Sequence, residues 1–489
     1  MKSTMEKITP EILRFVRYLS FKADCLREQQ ENPLKIDRVK AQEYHDQLEA
    51  IVEEKKQALS EAMPKVPNIK YHNKPKILYK KDGSYSANGI KWFEALERLG
   101  QPRDSEGPVA EILGYDNGNP NSDPQLKEWL FYLGWTPCTF KFERNKETGD
   151  ERKIPQVRYF SNNDPRKGEL TDSVKSLIEK EPALEALDGL TVAKHRLSVF
   201  AGFLSESDEN GYCGASAGGF TNTMRLQHRK PFVNMPKADG EVAWGKEIRS
   251  CIVAPEGYEM CGSDIVSLED TTKRHYMKPF DPDYVEEMEQ EGFDPHLNLA
   301  IFANAISQEE LDEKGAKDPH IKSIRKQYKA ANYAGIYGVG AAKLARELFI
   351  DEAKAKAILD AYWQRNWSVR EVSERQFVKT LKDGSLWLKN PVSGFYYSLR
   401  YRKDVFSTLN QGTGVFIFDS WAMRVRRKGI VVPFQMHDEL MTFRKVDTQT
   451  REEIEEKLHN SMREVNESLN LNVEIRADVQ WGQNYAECH

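Results

Sequence analysis

The segment from Arg325 to Gly338 constrains this chain most, because four of its side chains repeat at helical spacing. Arg325, Lys329, Tyr333 and Tyr337 are each four residues apart, so on a helix they form one stripe. Guanidinium and ammonium groups bind phosphate oxygens strongly, and aromatic rings pack against bases and sugars. The stripe predicts a face that binds one nucleotide. Taken alone, it is equally typical of a basic solvated helix with two half-buried tyrosines.

Two aspartates stand beside short apolar runs that are typical of strands. Asp264 ends the segment Met260-Cys-Gly-Ser-Asp264, and Asp438 follows Phe434-Gln-Met-His437. Carboxylates at the ends of neighbouring strands are the oxygen ligands that Mg²⁺ prefers. A single aspartate in a turn is usually only a turn residue, so the argument depends on the pair.

These three blocks, in this order, resemble motifs A, B and C of the DNA polymerase I family, called family A. The chain end, Asn484-Tyr-Ala-Glu-Cys-His489, resembles that of replicative polymerases from short-tailed phages. The resemblance implies an α+β right-hand fold with a thumb, a palm built on an antiparallel sheet, and helical fingers. The implied domains are a thumb (1–205) with a basic, loop-rich insertion at about 64–115, a palm (206–277 and 405–489) and fingers (278–404).

The resemblance also implies a metal site and a reaction. Asp264, Asp438 and the carbonyl of Ile265 would hold two Mg²⁺ ions, for which Mn²⁺ can substitute, and Glu439 would support them. Two such ions neutralise the charge that develops during phosphoryl transfer. Lys329 is the third predicted catalytic residue, because its ammonium would stabilise the departing pyrophosphate.

Further nucleotide contacts follow from the same resemblance. Arg325 and Lys329 would bind the triphosphate together with His296 of Asp294-Pro-His296, although a lone histidine is more often structural. Tyr333 would lie against the sugar, and Tyr337 would guard the templating position. The tyrosine at 333 implies ready acceptance of dideoxynucleotides.

Glu269 bears on which sugar the chain accepts. In the DNA-synthesising members this side chain fills the space that a ribose 2′-hydroxyl would need, so the resemblance favours deoxynucleotides. Glu439 fits the same class. A single-subunit RNA polymerase is therefore the disfavoured alternative.

Contacts to the primer and template are predicted at three positions. Arg225, in Thr221-Asn-Thr-Met-Arg225, matches the arginine that reaches the primer, although Met224 stands where the family usually has glycine. Gln411, in a helix predicted to open at 410–413 and run through Arg424, would lie at the minor groove of the nascent pair. His437 is the third predicted contact. An ordinary surface arginine and a buried helix-start glutamine are the alternatives at 225 and 411.

The family pattern is broken next to the proposed sugar selector and in the nucleotide stripe. Asp270-Thr271 follows Glu269 where the family commonly has Leu-Arg, which adds a negative charge. Ala334 replaces the glycine after Tyr333. These departures bear on substrate affinity and fidelity more than on activity.

Composition gives no overall signal for nucleic-acid binding. The formal charge is -5, so DNA binding has to come from local basic patches. One candidate is the lysine-rich stretch 64–91, which is either a DNA- or partner-binding insertion or a disordered linker. The six cysteines lack metal-ligand spacing, which predicts free thiols. No signal peptide or membrane-spanning run is apparent, so we expect a cytoplasmic protein, in a bacterial host if it is phage-encoded.

Several alternatives and partners stay open. We expect no 3′-5′ exonuclease in this chain, so proofreading would be absent or carried by a separate exonuclease chain. A processivity factor could bind the basic insertion. Primer-template DNA and deoxynucleoside triphosphates are the predicted partners. The alternatives to a replicative enzyme are a gap-filling or lesion-bypass repair polymerase and a non-catalytic DNA-binding scaffold of the replisome.

Overall fold

The structure is a computed structural model that describes residues 9–145, 148–160, 166–233, 235–238, 240 and 242–488. Helices predominate. In chain order, α1 to α17 are Pro10–Glu31, Arg38–Ala62, Ala87–Arg98, Asp123–Tyr132, Asp172–Lys175, Leu190–Glu206, Gly245–Ser250, Leu268–Met277, Pro282–Met288, Pro295–Phe302, Gln308–Lys314, Pro319–Ile336, Ala341–Leu348, Glu352–Arg365, Trp367–Glu374, Val405–Arg427 and Arg451–Leu469. Short 3₁₀ helices occupy Pro182–Leu187 and Arg402–Asp404.

The strands are mostly short and pair antiparallel. In chain order, β1 to β16 are Leu34–Ile36, Val66–His72, Val109–Asp116, Phe140–Arg144, Glu151–Pro155, Tyr212–Cys213, Ala217–Phe220, Leu226–His228, Ile252–Val253, Tyr258–Ile265, Val378–Thr380, Leu386–Lys389, Tyr396–Leu399, Phe434–Met436, Glu439–Lys445 and Ala477–Gly482. The mixture of many helices with small antiparallel sheets is the predicted α+β class.

The chain divides into two compact units. The larger consists of residues 1–48, 161–167 and 194–489, and the smaller of residues 49–160 and 168–193. The smaller unit holds the two-stranded sheets β2–β3 and β4–β5. The boundaries of thumb, palm and fingers within this division stay a prediction.

The larger unit contains a four-stranded antiparallel sheet, the central sheet, with the strand order β14-β15-β10-β16. β10, one of its two inner strands, is buried at most positions. Trp421 and Ile417 of α16 and Leu458 of α17 pack with Cys261 and Leu440 of the sheet in one core cluster. Burial of this apolar layer holds β10 and β15 in a single register, since a slip of one residue would turn the apolar side chains outward.

A separate core holds the helices between residues 295 and 365. The inner face of α12 packs against α10, α13 and α14. Gly335 lets α12 approach α14 closely, because a Cβ at this position would lie 2.1 Å from the ring of Tyr362. The opposite face of α12 carries Arg325, Lys329 and Tyr333, and Tyr337 caps its C-terminus. Tyr333 and Tyr337 are 42% and 38% exposed, so the stripe lies at the surface with its two rings partly buried.

Two expectations about secondary structure need correction. The lysine-rich stretch 64–91 is not a disordered linker, because β2 and the start of α3 lie within it, and Trp92 and Leu96 later in α3 are buried. The helix that contains Gln411 begins at Val405, not at residues 410–413. Buried Val405, Phe406 and Leu409 extend it toward its N-terminus by packing in one cluster with α8 and α15.

Two composition-based expectations can be compared with the structure. All six cysteines are free thiols, as predicted. Within the described residues, no helix combines the length and the apolar character needed to cross a bilayer.

Candidate active site

The two predicted catalytic aspartates lie together at the ends of two adjacent strands of the central sheet. Asp264 stands near the C-terminal end of β10, directly opposite Glu439, the first residue of β15. Asp438 precedes Glu439 in the chain, and its carbonyl accepts a hydrogen bond from the backbone N–H of Ile265 at 3.1 Å. The register of two antiparallel strands therefore brings Asp264, Ile265, Asp438 and Glu439 into one group.

A two-residue turn presents Asp438. Met436 pairs with Glu439, which leaves His437 and Asp438 as the tip of the β14–β15 hairpin, as the sequence predicts. His437 has a φ of 62°, the left-handed conformation that the first residue of a tight hairpin often adopts. Loss of water to the surrounding protein, followed by the charge of Arg225, lowers the pKa of His437 to about 4. The ring is therefore neutral at pH 7, although part of it is open to solvent.

The carboxylates of Asp264, Asp438 and Glu439 repel one another. Burial, then the charges of Asp438 and Glu439, raises the pKa of Asp264 to about 7. The side chain of Asp264 remains open to solvent, but the surrounding protein removes enough water to disfavour its charged form. Burial also raises the pKa of Asp438, while Arg225 opposes that shift. Adjacent carboxylates with raised pKa values are typical of sites that a divalent cation or a proton completes.

This donor set suits a hard divalent cation. Asp264 and Asp438 supply carboxylate oxygens on adjacent strand ends, and like-charge repulsion between them is relieved when a cation binds. Among the described residues, the one group of three potential ligands within 4.8 Å of one another is His45, Asp46 and Glu49. The strand-end pair contributes two carboxylates, and Oε2 of the neighbouring Glu439 accepts a hydrogen bond from Tyr485.

The β7–β8 hairpin positions Arg225. In its turn, Met224 N–H and Arg225 N–H donate to the carbonyl and hydroxyl of Thr221, at 3.0 and 3.1 Å. Met224 has a φ of 69°, so the position where the family has glycine keeps a left-handed conformation despite its side chain. Burial raises the pKa values of Asp438 and Glu269, and the positive charge of Arg225 opposes both shifts. The Arg225 guanidinium therefore interacts electrostatically with both acids.

The cationic end of the stripe is held by an aspartate. Asp294 caps α10 by accepting from the backbone N–H groups of His296 and Leu297, at 2.9 and 3.0 Å. Its other oxygen accepts from Nε of Arg325 at 2.5 Å. Arg325 is thereby oriented while part of its side chain stays exposed, and Lys329 is exposed one turn further on.

His296 lies beside the stripe as a neutral ring. Its Nδ1 is 3.2 Å from the amide nitrogen of Asn332, which can only donate, so Nδ1 is the acceptor. Burial above all, with Arg325 and Lys329 adding to it, lowers the pKa of His296 to about 4. The proton of the neutral ring is then on Nε2. The ring centroid lies 6.4 Å from that of Tyr333.

Glu269 stands near the aromatic end of the stripe. Its backbone carbonyl accepts from the side chain of Asn410 at 2.8 Å, which ties the start of α8 to α16. Its charge raises the pKa values of Tyr333 and Tyr337, after burial, so its carboxylate is near both rings. Gln411 on α16 donates to the hydroxyl of Tyr337 at 3.1 Å.

The unusual Asp270 is neutralised locally. Its carboxylate lies 3.1 Å from Nε of Arg274, one turn later on α8. Thr271 is buried and donates to the carbonyl of Val266 at 3.3 Å. The extra negative charge beside Glu269 is therefore paired with Arg274, which also lies 3.7 Å from Glu289.

Two residues at the site were not predicted. Asp478 on β16 is paired with Asp264 in register and contributes to raising its pKa. Tyr485, near the end of the chain, donates to Glu439 at 2.7 Å. Asp478 stands in no motif, and Tyr485 lies in the chain-end segment 484–489, for which the resemblance predicted no role at the site. The alternation of Ile475, Ala477 and Val479 indicates a strand, but its partner strand could not be identified from sequence.

Paired acids at the strand ends of an antiparallel sheet, with a basic and aromatic helix face, define the class of right-hand nucleic-acid polymerases. The whole fold agrees: the structure superposes on "POL domain of Pol1 from M. smegmatis complex with DNA primer-template and dNTP" with a TM-score of 0.64 and 18% identity, over 95% of this chain and 70% of that one. The sequence model described as DNA polymerase family A matches residues 213–487. The chain belongs to DNA polymerase family A.

Curated relatives are similar over parts of this chain. DNA polymerase I of Pseudomonas aeruginosa is 25% identical over 285 residues, which cover 55% of this chain and 29% of the relative. A thermostable DNA polymerase I from Thermus filiformis is 27% identical over 169 residues, covering 33% and 19%. The Streptococcus pneumoniae serotype 4 enzyme is 29% identical over 170 residues, covering 33% and 18%. The matched region thus spans less than a third of each of these relatives.

Proposed function

We propose that this chain is a template-directed DNA polymerase that adds deoxynucleotides to the 3′ end of a primer. The observation that carries the proposal is the grouping of Asp264 with Asp438 through the β10–β15 register. Membership of family A supports it. So does the solved structural neighbour, which was determined with a DNA primer-template and a dNTP.

The proposed metal ligands are Asp264, Asp438 and the carbonyl of Ile265. They would hold two Mg²⁺ ions, or Mn²⁺ in their place, and these ions would neutralise charge on the attacking, transferred and departing oxygens. The raised pKa of Asp264 supports this assignment, because the pair is strained by repulsion without a cation. Glu439 would support the site from its place opposite Asp264.

The exposed face of α12 would bind the incoming nucleotide. Arg325, held by Asp294, and Lys329 would bind the triphosphate, and Lys329 would stabilise the leaving charge. His296 would donate from Nε2 as a neutral group. Tyr333 would pack against the sugar.

The remaining contacts would select the sugar and bind the nucleic acid. Glu269, near both tyrosines of the stripe, would exclude a ribose 2′-hydroxyl sterically. Tyr337 would cover the templating position. Arg225, Gln411 and His437 would contact the primer and template. The electrostatic influence of Arg225 on Asp438 supports its assignment to the primer end.

Primer extension with Mg²⁺ on a primed DNA template tests the proposal. The comparison is between the natural chain, Asp438→Asn and Asp447→Asn, a matched control at an exposed aspartate after β15. We expect deoxynucleotide extension by the natural chain and Asp447→Asn, and a loss of at least about 1000-fold for Asp438→Asn. A lane with ribonucleotides tests the RNA alternative. A lane without nucleotides tests the expectation that this chain does not shorten primers.

The result also separates enzyme from scaffold. Tight binding of primer-template without extension by the natural chain would contradict the polymerase proposal and favour a DNA-binding scaffold. Extension that survives Asp438→Asn would contradict the assigned site.

We further propose a phage-type replicative role, in a bacterial cytoplasm, on the basis of the chain-end resemblance. The length of products on a long primed single strand distinguishes this role from repair. Tracts of a few nucleotides would favour gap filling or lesion bypass. The outer face of β2–β3, with exposed Ile69, Tyr71, Ile112 and Tyr115, supports a partner at the insertion, whether a processivity factor or a separate exonuclease chain.

A further inference from the structure

The last described turn of the chain, which contains Tyr485 and Cys488, packs on β10 beside the strand ends that carry Asp264 and Asp438. Tyr485 is fully buried, and its backbone N–H donates to the carbonyl of Ile252 at 2.9 Å. Cys488 is 3% exposed and lies against Gly262, where a Cβ would come within 2.8 Å of the Cβ of Cys488. Gly262 is two residues before Asp264 on β10, so both residues project from the same face of the strand. The turn therefore covers β10 directly next to Asp264.

The side chain of Tyr485 reaches the acidic group. Its hydroxyl donates to Oε2 of Glu439 at 2.7 Å, and Glu439 is only 7% exposed. A hydrogen bond to a buried carboxylate is among the stronger kinds. Because Glu439 follows Asp438 and pairs with Asp264, its carboxylate is a fixed negative charge beside both of the proposed metal ligands.

A second contact fixes Tyr485 itself. The guanidinium of buried Arg249 lies 4.5 Å from the centre of the Tyr485 ring, and its Nε donates to the carbonyl of Pro236 at 2.8 Å. The arginine is anchored to the backbone and covers the ring face. The tyrosine hydroxyl is thus held in one orientation toward Glu439.

We infer that Tyr485 is a positioning residue of the active site, acting through Glu439 to hold a negative charge where divalent cations bind. This inference rests on the proposed function. Its physical basis is preorganisation: a carboxylate already oriented attracts a cation without a cost for ordering it. The end of the chain would therefore contribute to metal binding although it contains none of the proposed ligands.

The test uses Tyr485→Phe, which removes one oxygen atom and keeps the ring under Arg249. The readout is Mn²⁺ binding followed by electron paramagnetic resonance, without DNA or nucleotide, alongside the Mg²⁺ dependence of primer extension. We expect Mn²⁺ binding to weaken about 10-fold, the low end of what loss of an outer hydrogen-bond partner costs a metal site. The half-saturating Mg²⁺ concentration should rise in parallel.

Tyr18→Phe is the matched control. Tyr18 is also buried and donates to a buried carboxylate, that of Asp419 at 2.5 Å, but it joins α1 to α16. Both variants lose a tyrosine–carboxylate hydrogen bond, so both should unfold more easily. Only Tyr485→Phe should change Mn²⁺ binding.

A double-mutant cycle with Glu439→Ala tests the route of the effect. If Tyr485 acts through Glu439, Tyr485→Phe should change Mn²⁺ binding no further in a Glu439→Ala background. A Tyr485→Phe protein that is less stable but binds Mn²⁺ normally would overturn the inference, as would independent, additive effects in the cycle. A natural chain that neither binds Mn²⁺ nor extends primers would contradict the proposed function itself, which is a different result.

Discussion

The amide of Gln411 donates a hydrogen bond to the hydroxyl of Tyr337, with 3.1 Å between the nitrogen and the oxygen. Gln411 lies on α16, which packs on the central sheet, whereas Tyr337 caps α12. The bond therefore joins Gln411, which we propose contacts the minor groove, to Tyr337, which we propose covers the templating position. In the proposed function, both side chains must turn to DNA, so we expect this bond to compete with primer-template binding.

We predict that Tyr337→Phe binds primer-template about 2- to 5-fold more tightly, because Gln411 no longer has to leave a partner. Fluorescence anisotropy without nucleotides measures this affinity. Tyr333→Phe is the control, since the Tyr333 hydroxyl has no hydrogen-bond partner among the described residues. Unchanged or weaker binding by Tyr337→Phe alone would contradict the competition.

We predict that Glu269→Ala lowers the discrimination against ribonucleotides at least about tenfold, since the space for a 2′-hydroxyl opens. Single-nucleotide incorporation with matched deoxy- and ribonucleotides gives the ratio of kcat/KM values. Glu286→Ala, at an exposed position of α9, should leave this ratio unchanged. The steric assignment is wrong if Glu269→Ala reduces deoxynucleotide use and admits no ribonucleotide.

Asp264→Asn should stabilise the metal-free protein at pH 8. The pKa of Asp264 is about 7 in the folded chain, because of burial and its acidic neighbours, against an ordinary value near 3.9. Between these values the folded state binds more protons than the unfolded state, so the free energy of unfolding falls as pH rises from about 4 to 7. Above pH 7 the whole penalty applies, and the asparagine removes it.

Thermal midpoints in EDTA at pH 5 and pH 8 measure this difference, which should be larger at pH 8. Added Mg²⁺ should then stabilise the natural chain more than Asp264→Asn. Asp447→Asn provides the baseline for a change of charge at an exposed aspartate. Equal midpoints for the natural chain and Asp264→Asn at pH 8 would show that the repulsion is relieved in another way.

Lys273 should make stability depend on alkaline pH. It is 4% exposed on α8, its ammonium donates to Asn366 at 2.7 Å, and burial lowers its pKa to about 8, which Asp270 partly opposes. The ordinary value is near 10.4. Between pH 8 and 10.4 the unfolded state binds more protons, so the free energy of unfolding rises with pH by up to roughly 3 kcal/mol.

We predict that Lys273→Met removes this rise, which urea unfolding at pH 7.5, 9 and 10 would detect. The absolute stability is a poorer measure, because the variant also leaves the buried Asn366 oxygen without its lysine donor. Lys382→Met, at an exposed lysine, should keep the slope of the natural chain. If the free energy of unfolding still rises with pH in Lys273→Met, other titrating groups cause the rise.

Local chemistry made part of the site predictable. The four-residue spacing of Arg325, Lys329, Tyr333 and Tyr337 correctly predicts an exposed helix face, since helix geometry is set within one turn. The β14–β15 turn that presents Asp438 was predictable for the same reason. The start of α16 at Val405 was not, because it depends on burial against distant helices.

The sequence by itself determined the kinds of side chain available for the chemistry: two aspartates at strand ends, a basic and aromatic helix face, and an acid at 269. Tertiary structure decided which distant residues join them. The register of β10 with β15 and β16 places Glu439 and Asp478 opposite Asp264, and the final turn brings Tyr485 to Glu439. Such register depends on burying the whole sheet at once, so no short segment encodes it.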